Sequence, residues 1–236
     1  MFNTPCHHIK DDMKITGYRT LSTFHTWGRA IGDVNGAIDA AVTEVPIVIL
    51  ETDEGIEGVG IGSHADIDRL FPALEGEDPR AVSALFDRMV ARVFKSGHAG
   101  ATYGGLATLD AALWDIKAKA AGEPLWRLLG ARDRFVPGYA SGLDIALSTD
   151  ELSAFYSRMA ERGYVAGKLK GGLDLQADLE RLGVMADALR VNTEHPGLMI
   201  DANESWQVKQ AVRYVSAIAE RFDLLWVEEP LRRWDA

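Results

Sequence analysis

Two lysines stand two residues apart in the segment GKLKGG, where the surrounding residues predict a β-strand. Alternate side chains of a strand point to the same face, so Lys168 and Lys170 are expected to project together, with backbones roughly 7 Å apart. Two ammonium groups side by side repel each other unless a chemical function uses both. This pair is therefore a candidate catalytic or binding feature.

Oxygen-bearing side chains follow the next two predicted strands. Asp201 and Asn203 end the strand LMIDAN and share a face, and Glu228 ends the strand LLWVEEP. Hard oxygen ligands from adjacent strand ends suit Mg²⁺, which binds a few carboxylates and keeps places for water or substrate oxygens. The sequence therefore predicts a Mg²⁺ site beside the lysines.

A divalent metal beside a lysine is the arrangement needed to remove a proton α to a carboxylate. The metal stabilises the enediolate that develops, and the lysine accepts the proton. A second ammonium and a nearby metal both favour the neutral, proton-accepting form of the lysine base.

The secondary structure predicted around these residues differs between the two halves of the chain. Residues 13–24 and the segment TEVPIVILETDEGIEGVGIGS predict a small antiparallel sheet, with a turn at Asp53, Glu54 and Gly55. Helical periodicity follows over residues 66–95 and again over about 104–121, where GEP at 122–124 ends it.

After about residue 130, short apolar strands alternate with amphipathic helices. The predicted strands are VPGYASG, VAGKLKG, LMIDAN and LLWVEEP, and Thr149 or Asp150 is expected to cap the first helix. Such alternation indicates βα units and a parallel sheet, either doubly wound or a (β/α)8 barrel. The polar residues at successive strand ends favour the barrel, in which those ends converge on one mouth.

Composition limits the function further. The chain has 236 residues and a formal net charge of −10, which argues against binding to nucleic acid or to anionic membranes. It contains no apolar run of membrane-spanning length and no apolar signal core, and Cys6 is its only cysteine, so we expect a cytoplasmic protein. A metal cluster of Cys6, His7, His8, Asp11 and Asp12 matches no known spacing and is not favoured.

The motifs together resemble the mandelate racemase/muconate lactonizing enzyme family of the enolase superfamily. LDAALWDIKAKAAGEPLWRLLG at 109–130 resembles the family helix that leads into the barrel, and KLK at 168–170 resembles its Lys-x-Lys motif. DAN at 201–203 and EEP at 228–230 resemble the metal motifs of the third and fourth strands. The order and spacing agree along nearly the whole chain, whereas any one of these motifs would be weak evidence.

The resemblance implies a role for each matching position. Lys170 would be the general base, and Lys168 would assist it and hold the substrate carboxylate. Asp201 and Glu228 would bind Mg²⁺, and Asn203 would line the metal site or contact the substrate.

Two loops would cap the mouth of the barrel. They are HTWGRAIGDVNG at 25–36 and the region around GVGIGSH at 58–64. Weaker candidates for substrate contact lie there, namely His25, Trp27, Arg29 and His64.

Simpler interpretations exist for several residues. The lysines could be solvated at a strand end, and Asp201 could cap a short turn. Glu229 is expected on the strand face opposite Glu228 and is interpreted as structural.

The fourth-strand motif of this chain is EEP rather than the EQP common in cycloisomerases of the family that it resembles. This difference slightly favours a sugar-acid dehydratase or a racemase of mandelate racemase type. A muconate cycloisomerase-like enzyme, an amino-acid racemase or epimerase, and a non-catalytic relative remain alternatives.

The expected organisation is an α+β capping domain over residues 1–130, followed by an incomplete TIM-type barrel over residues 131–236. About four of eight barrel strands are present, so we expect the chain to be a fragment that lacks the third metal ligand and the opposite-face acid or base. A small carboxylate is the expected substrate, and the full-length protein is expected to be a homo-oligomer. Which acid it acts on, and whether it dehydrates, racemises or cycloisomerises it, stays open.

Overall fold

The structure is a computed structural model that describes residues 12–39, 41–97 and 99–235. It divides into two compact units, one of residues 1–25 and 43–135 and the other of residues 26–42 and 136–236. The segment 26–42 therefore groups with the second unit, whereas the sequence placed it in a contiguous capping domain. Residues 1–11, with Cys6, His7, His8 and Asp11, lie outside the described residues.

The first unit contains a three-stranded sheet in the order β1-β4-β5. Its strands are β1 (Ile15–Thr26), β4 (Val42–Thr52) and β5 (Gly58–Ile61), and β4 and β5 pair antiparallel as predicted. Gly60 allows β5 to approach a helix closely, because an added Cβ would lie 1.9 Å from the carbonyl oxygen of Thr108. The glycines of GVGIG thus have a packing role.

The helices of the first unit cover one buried core. They are α1 (Ile67–Leu70), α2 (Val82–Val93), α3 (Ala101–Ala121) and α4 (Leu125–Leu128), with 3₁₀ turns at Phe71–Ala73 and Phe94–Ser96. The periodicity over residues 66–95 does not form one helix, because Pro72, Gly76 and Pro79 interrupt it. The end of α3 was predicted correctly, since Gly122 adopts the left-handed conformation and caps it.

The second unit consists of a parallel sheet and its connecting helices. Its strands are β6 (Ala140–Ser141), β7 (Ala166–Lys170), β8 (Gly197–Asp201) and β9 (Leu224–Glu228), in the order β6-β7-β8-β9. The helices between them are α5 (Thr149–Glu161), α6 (Leu175–Leu189) and α7 (Val208–Ala219). Sequential order with a helix in each crossover is that of the first four strands of a (β/α)8 barrel and differs from doubly wound orders.

Three details differ from the sequence predictions. The strand predicted at 136–142 is reduced to two residues, since Pro137 has no N–H to donate and Val136 is exposed. Ser148, rather than Thr149 or Asp150, caps α5, in a capping box with Glu151. Part of the loop predicted at 25–36 instead contributes to a hairpin of β2 (Ile31–Asp33) and β3 (Gly36–Ile38).

Candidate active site

Four of the predicted site residues, Lys168, Lys170, Asp201 and Glu228, form a row across three strands. The strand register pairs Lys170 of β7 with Asp201 of β8, and Asp201 with Glu228 of β9. Lys168 lies two residues before Lys170 on the same strand. The carboxyl ends of parallel strands therefore bring together the four residues predicted to be catalytic or metal-binding.

Carboxylates neutralise both lysines. Lys170 Nζ donates to Asp201 Oδ2 at 2.6 Å, and Lys168 Nζ lies 3.2 Å from the same oxygen and 2.6 Å from Glu228 Oε1. Each lysine is only 7% exposed and Asp201 only 1%. The lysines are thus not solvated at a strand end.

Opposing effects set the protonation of this cluster. Burial disfavours the charged form of Lys168, but its hydrogen bonds to Glu228 and Asp201 outweigh burial and raise the pKa of Lys168. Burial likewise disfavours ionised Asp201, but the hydrogen bonds from Lys170 and the Asn203 N–H lower the pKa of that carboxyl. The cluster is a set of ion pairs, as buried charges require.

The donors present fit a hard cation such as Mg²⁺. Asp201 and Glu228 both reach one point, the ammonium of Lys168, so both carboxylates face the same space. Asn203 Oδ1 is buried without a hydrogen-bond partner, which adds an unsatisfied oxygen next to Asp201. Within the described ranges, no three or more Asp, Glu, His or Cys side chains are arranged so that they could hold a metal ion together, so a third carboxylate ligand stays a prediction.

The turns after β8 and β9 hold these oxygens in place. Asn203, Glu204 and Glu229 have positive φ angles of 45°, 62° and 43°, a conformation that side chains other than glycine seldom adopt. Asp201 Oδ1 accepts from the Asn203 N–H at 3.0 Å, as in the turn considered for Asp201 from the sequence. Glu229 does not continue the strand pleat, because its backbone turns there, and it accepts from Asn203 Nδ2 at 3.3 Å.

The two glycines after Lys170 are fixed from both sides. Gly172 N–H donates to Asp178 Oδ2 at 2.7 Å, and its carbonyl accepts from Trp206 Nε1 at 2.8 Å. A Cβ on Gly171 would lie 2.6 Å from Asp178 Oδ1, so a larger residue there would displace the Asp178 side chain. Burial raises the pKa of Asp178 to about 6.

Asp144, which sequence reasoning missed, lies fully buried behind Lys170. Its Oδ1 accepts from the Lys170 N–H and its Oδ2 from the Tyr156 hydroxyl, each at 2.9 Å. Burial raises the pKa of Asp144, although these hydrogen bonds and the charge of Arg181 oppose the effect. Its position two residues after the predicted strand VPGYASG, near the carboxyl end where Asp201 also lies on its own strand, was the signal that could have identified it.

The segment 26–42 docks on the strand ends of the second unit. Arg29 donates to the Gly142 carbonyl, and Gly32 N–H donates to the Leu143 carbonyl at 2.9 Å. Asn35 Nδ2 donates to the carbonyl of Asn203 at 3.3 Å, so the segment reaches the turn that follows Asp201.

The weaker candidates for substrate contact fall in different places. Trp27 lies on the docked segment, half-buried, with its ring 5.7 Å from the Arg29 guanidinium. His25 is an exposed residue at the end of β1, and His64 Nε2 lies 3.0 Å from the Ile47 carbonyl oxygen within the first unit. The roles predicted for Trp27, His25 and His64 stay predictions.

A groove of about 710 Å³ lies on the outer helices of the second unit. Thr149, Ser153 and Ser157 of α5 and Asp187 of α6 are among the residues that line it. None of the lysine and carboxylate residues of the row contributes to it, so the groove does not mark the site of chemistry.

Two family models match this chain. Residues 37–130 match the mandelate racemase/muconate lactonizing enzyme N-terminal domain, and residues 151–236 match the enolase C-terminal domain-like family. The chain therefore belongs to the mandelate racemase/muconate lactonizing enzyme family of the enolase superfamily.

Among the helices that the structure describes, none combines the length and the apolar composition of a membrane span.

Curated relatives are similar over much of this chain. A 3,6-anhydro-alpha-L-galactonate cycloisomerase from Streptomyces coelicolor is 34% identical in an alignment of 199 positions that covers 79% of this chain and 54% of the relative. An L-talarate/galactarate dehydratase from Salmonella typhimurium is 34% identical in an alignment of 207 positions that covers 82% of this chain and 51% of the relative. The chain thus spans about half the length of these relatives.

A solved structure has the same fold. A racemase from Streptomyces coelicolor, crystallised with bound magnesium, matches with a TM-score of 0.82 and 30% identity, over 92% of this chain and 63% of that one. Other relatives are named as sugar-acid dehydratases and a dipeptide epimerase. The reactions of the relatives are thus those of lyases and isomerases.

Proposed function

We propose that the whole protein is a Mg²⁺-dependent enzyme that abstracts the α-proton of a small carboxylate substrate, a sugar acid. The observation that carries this proposal is the buried row in which Lys170 Nζ lies 2.6 Å from Asp201 Oδ2. Burying two ammonium groups against carboxylates costs stability that apolar residues would not cost. A site of chemistry explains why such a row is present.

In this proposal, Lys170 accepts the α-proton on one face of the substrate. Lys168 orients the substrate carboxylate with its ammonium, which the structure places within 3.2 Å of Asp201 and 2.6 Å of Glu228. Asn203 contacts the substrate or lines the metal site, and Trp27 and His25 are further substrate contacts. Asp201 and Glu228 would hold Mg²⁺, which when bound supplies the positive charge that stabilises the enolate form of the substrate carboxylate.

The reaction proposed is dehydration or racemisation of a sugar acid. Support comes from the dehydratase relative at 34% identity, whose name refers to acids derived from sugars. The relative named as a cycloisomerase, at the same identity, favours cycloisomerisation of a sugar-derived acid as the second candidate. All of these reactions can begin with the same proton abstraction.

A screen of acid sugars tests the proposal on the whole protein, with Mg²⁺ and with a chelator. Turnover of at least one acid sugar is expected, and it should be lost when the chelator removes the metal. No turnover of any acid in a broad panel would contradict the substrate class.

Variants test the metal ligands separately from the substrate. Asp201→Ala and Glu228→Gln should each weaken Mg²⁺ binding in calorimetry by at least about tenfold, the usual minimum for losing a ligand or its support. Asp187→Ala is the matched control, because Asp187 is an exposed carboxylate of α6 that pairs with Arg190. Unchanged Mg²⁺ affinity in Asp201→Ala would contradict the proposed metal site.

A further inference from the structure

The backbone N–H of Lys170 has an unusual partner. The parallel ladder between β6 and β7 pairs Ala140 with Gly167 and Ser141 with Lys168, and β6 ends there. Lys170 therefore lies beyond the reach of the ladder on that side, where a buried N–H requires another acceptor. The Asp144 side chain is that acceptor, with Oδ1 2.9 Å from the Lys170 nitrogen.

Asp144 is itself held firmly. Its side chain is fully buried, and the Tyr156 hydroxyl lies 2.9 Å from its Oδ2 and 2.9 Å from the Lys168 carbonyl. Arg181 Nη2 donates to the Asp144 carbonyl at 2.7 Å. Asp144 and Tyr156 thus contact the backbone of both lysines of the row.

The residues before Asp144 are bound to the segment 26–42. Gly32 N–H donates to the Leu143 carbonyl, and Gly32 forms a parallel bridge with Asp144. Leu143 has a φ of 49°, a conformation that costs a residue with a Cβ free energy and persists where its surroundings fix it. The hydrogen bond from Gly32 of the docked segment helps to hold Leu143, the residue next to Asp144, in this conformation.

We propose that Asp144 is a positioning residue for the base: it holds the backbone of Lys170 where the ammonium meets Asp201, and it couples that backbone to the docking of the segment 26–42. This inference rests on the proposed role of Lys170. Asp144 touches no reacting atom in this account, and it acts through the Lys170 N–H.

The donors and acceptors around Asp144 indicate which substitution should keep its hydrogen bonds. Tyr156 has one hydroxyl hydrogen, and two acceptors, Asp144 Oδ2 and the Lys168 carbonyl, lie near it. Asp144→Asn keeps an oxygen for the Lys170 N–H, and its amide NH₂ can donate to the Tyr156 oxygen, which frees the hydroxyl for Lys168. Asp144→Leu has a similar size and keeps neither function.

The first readout needs no substrate. Hydrogen exchange of the whole protein, followed by mass spectrometry on the peptide 166–172, should show faster exchange at Lys170 by at least about tenfold in Asp144→Leu, because its N–H loses its acceptor. Asp144→Asn should exchange as the wild type does. If Asp144→Leu fails to fold, Asp144→Ser replaces it, because the serine hydroxyl is too short to reach the Lys170 nitrogen.

The second readout uses an acid sugar that the wild type turns over. The kcat of Asp144→Leu should fall about a hundredfold, the scale for a misplaced catalytic group, while KM changes less than about threefold. Asp144→Asn should restore kcat to within about threefold of the wild type. Ile218→Ala, a buried change in α7, is the control for lost stability alone and should keep both the Lys170 exchange rate and kcat.

The outcomes separate this inference from the proposed function. Unchanged exchange at Lys170 in folded Asp144→Leu, or an equal loss of kcat in Ile218→Ala, would overturn the positioning role. Faster exchange at Lys170 with unchanged kcat in Asp144→Leu would show that the hydrogen bond from the Lys170 N–H to Asp144 does not matter for the reaction. A wild type that turns over no acid sugar would contradict the proposed function, and the exchange readout would still decide the positioning role.

Discussion

The two units of the molecule place their charges differently. Ion pairs of the first unit such as Arg19–Glu57, Arg88–Glu77 and Arg127–Glu123 lie at the surface, with side chains 41% to 59% exposed. Among the described residues, the buried charged side chains all belong to the second unit: Asp144, Lys168, Lys170, Asp178, Asp201 and Glu204. All six lie on, or hydrogen-bond to, β7, β8 or the turns that follow them.

This difference separates charges that keep a surface solvated from charges that a site requires. Exposed pairs contribute little to stability, because water already solvates both partners. Buried charges are expensive, and each needs a partner of opposite charge or several hydrogen bonds. The second unit therefore bears a stability cost at its strand ends that the first unit avoids.

The largest effect is expected from removing one charge of the buried row. Asp201→Asn keeps the acceptor for the Asn203 N–H but leaves Lys170 buried without its carboxylate, which should lower the free energy of unfolding by about 3–5 kcal/mol. Urea denaturation of the chain measures this change. A loss below about 1 kcal/mol would place this pair with the surface pairs and break the comparison.

An intermediate effect is expected at Asp178, and it depends on pH. The pKa of Asp178 is raised to about 6 in the folded chain, so the folded state takes up this proton before the unfolded state does. The cost of burying its charge is fully present above about pH 6 and is relieved as pH falls towards 4, a difference of about 3 kcal/mol.

Asp178→Asn keeps an acceptor for the Gly172 N–H and removes the charge. The variant should therefore be more stable than the wild type at pH 8, and its advantage should shrink as pH falls from 6 to 4. Denaturant unfolding of both proteins at several pH values measures the difference. A stability difference that does not change between pH 8 and pH 4 would show that Asp178 carries no such cost.

The smallest effect is expected in the first unit. Glu123→Gln removes an exposed pair with Arg127, four residues along the chain, and should change the free energy of unfolding by less than about 0.5 kcal/mol. The change should also decrease when salt is added, because salt screens exposed charges. A loss of more than about 1 kcal/mol would remove the contrast between the two units.

Most of the row could be predicted from the sequence, because local rules determine it. Alternation places Lys168 and Lys170 on one face, and the carboxyl ends of parallel strands bring Asp201 and Glu228 beside them. The strands of the parallel sheet lie side by side in the order in which they occur in the sequence, so the sequence order alone predicts which strands are neighbours.

What the sequence did not predict depends on contacts between distant residues. Asp144 binds the N–H of a residue 26 positions later, and no local pattern indicates that bond. The strand before Asp144 was predicted too long. Apolar residues such as Val136 suggested a strand, but Val136 is exposed, and β6 pairs with β7 only at Ala140 and Ser141. The docking of residues 26–42 on the second unit likewise depends on single hydrogen bonds such as that from Gly32 to Leu143.

The exchange of the substrate α-proton with solvent deuterium tests the central claim most directly. In the whole protein, Lys170→Ala should slow that exchange by at least about a hundredfold, the usual scale for removal of a general base. Lys170→Arg should fail almost as badly, because a guanidinium stays protonated. Near wild-type exchange in Lys170→Ala would contradict the assignment of Lys170 as the base, and with it the account of why this chain buries its charges at the strand ends.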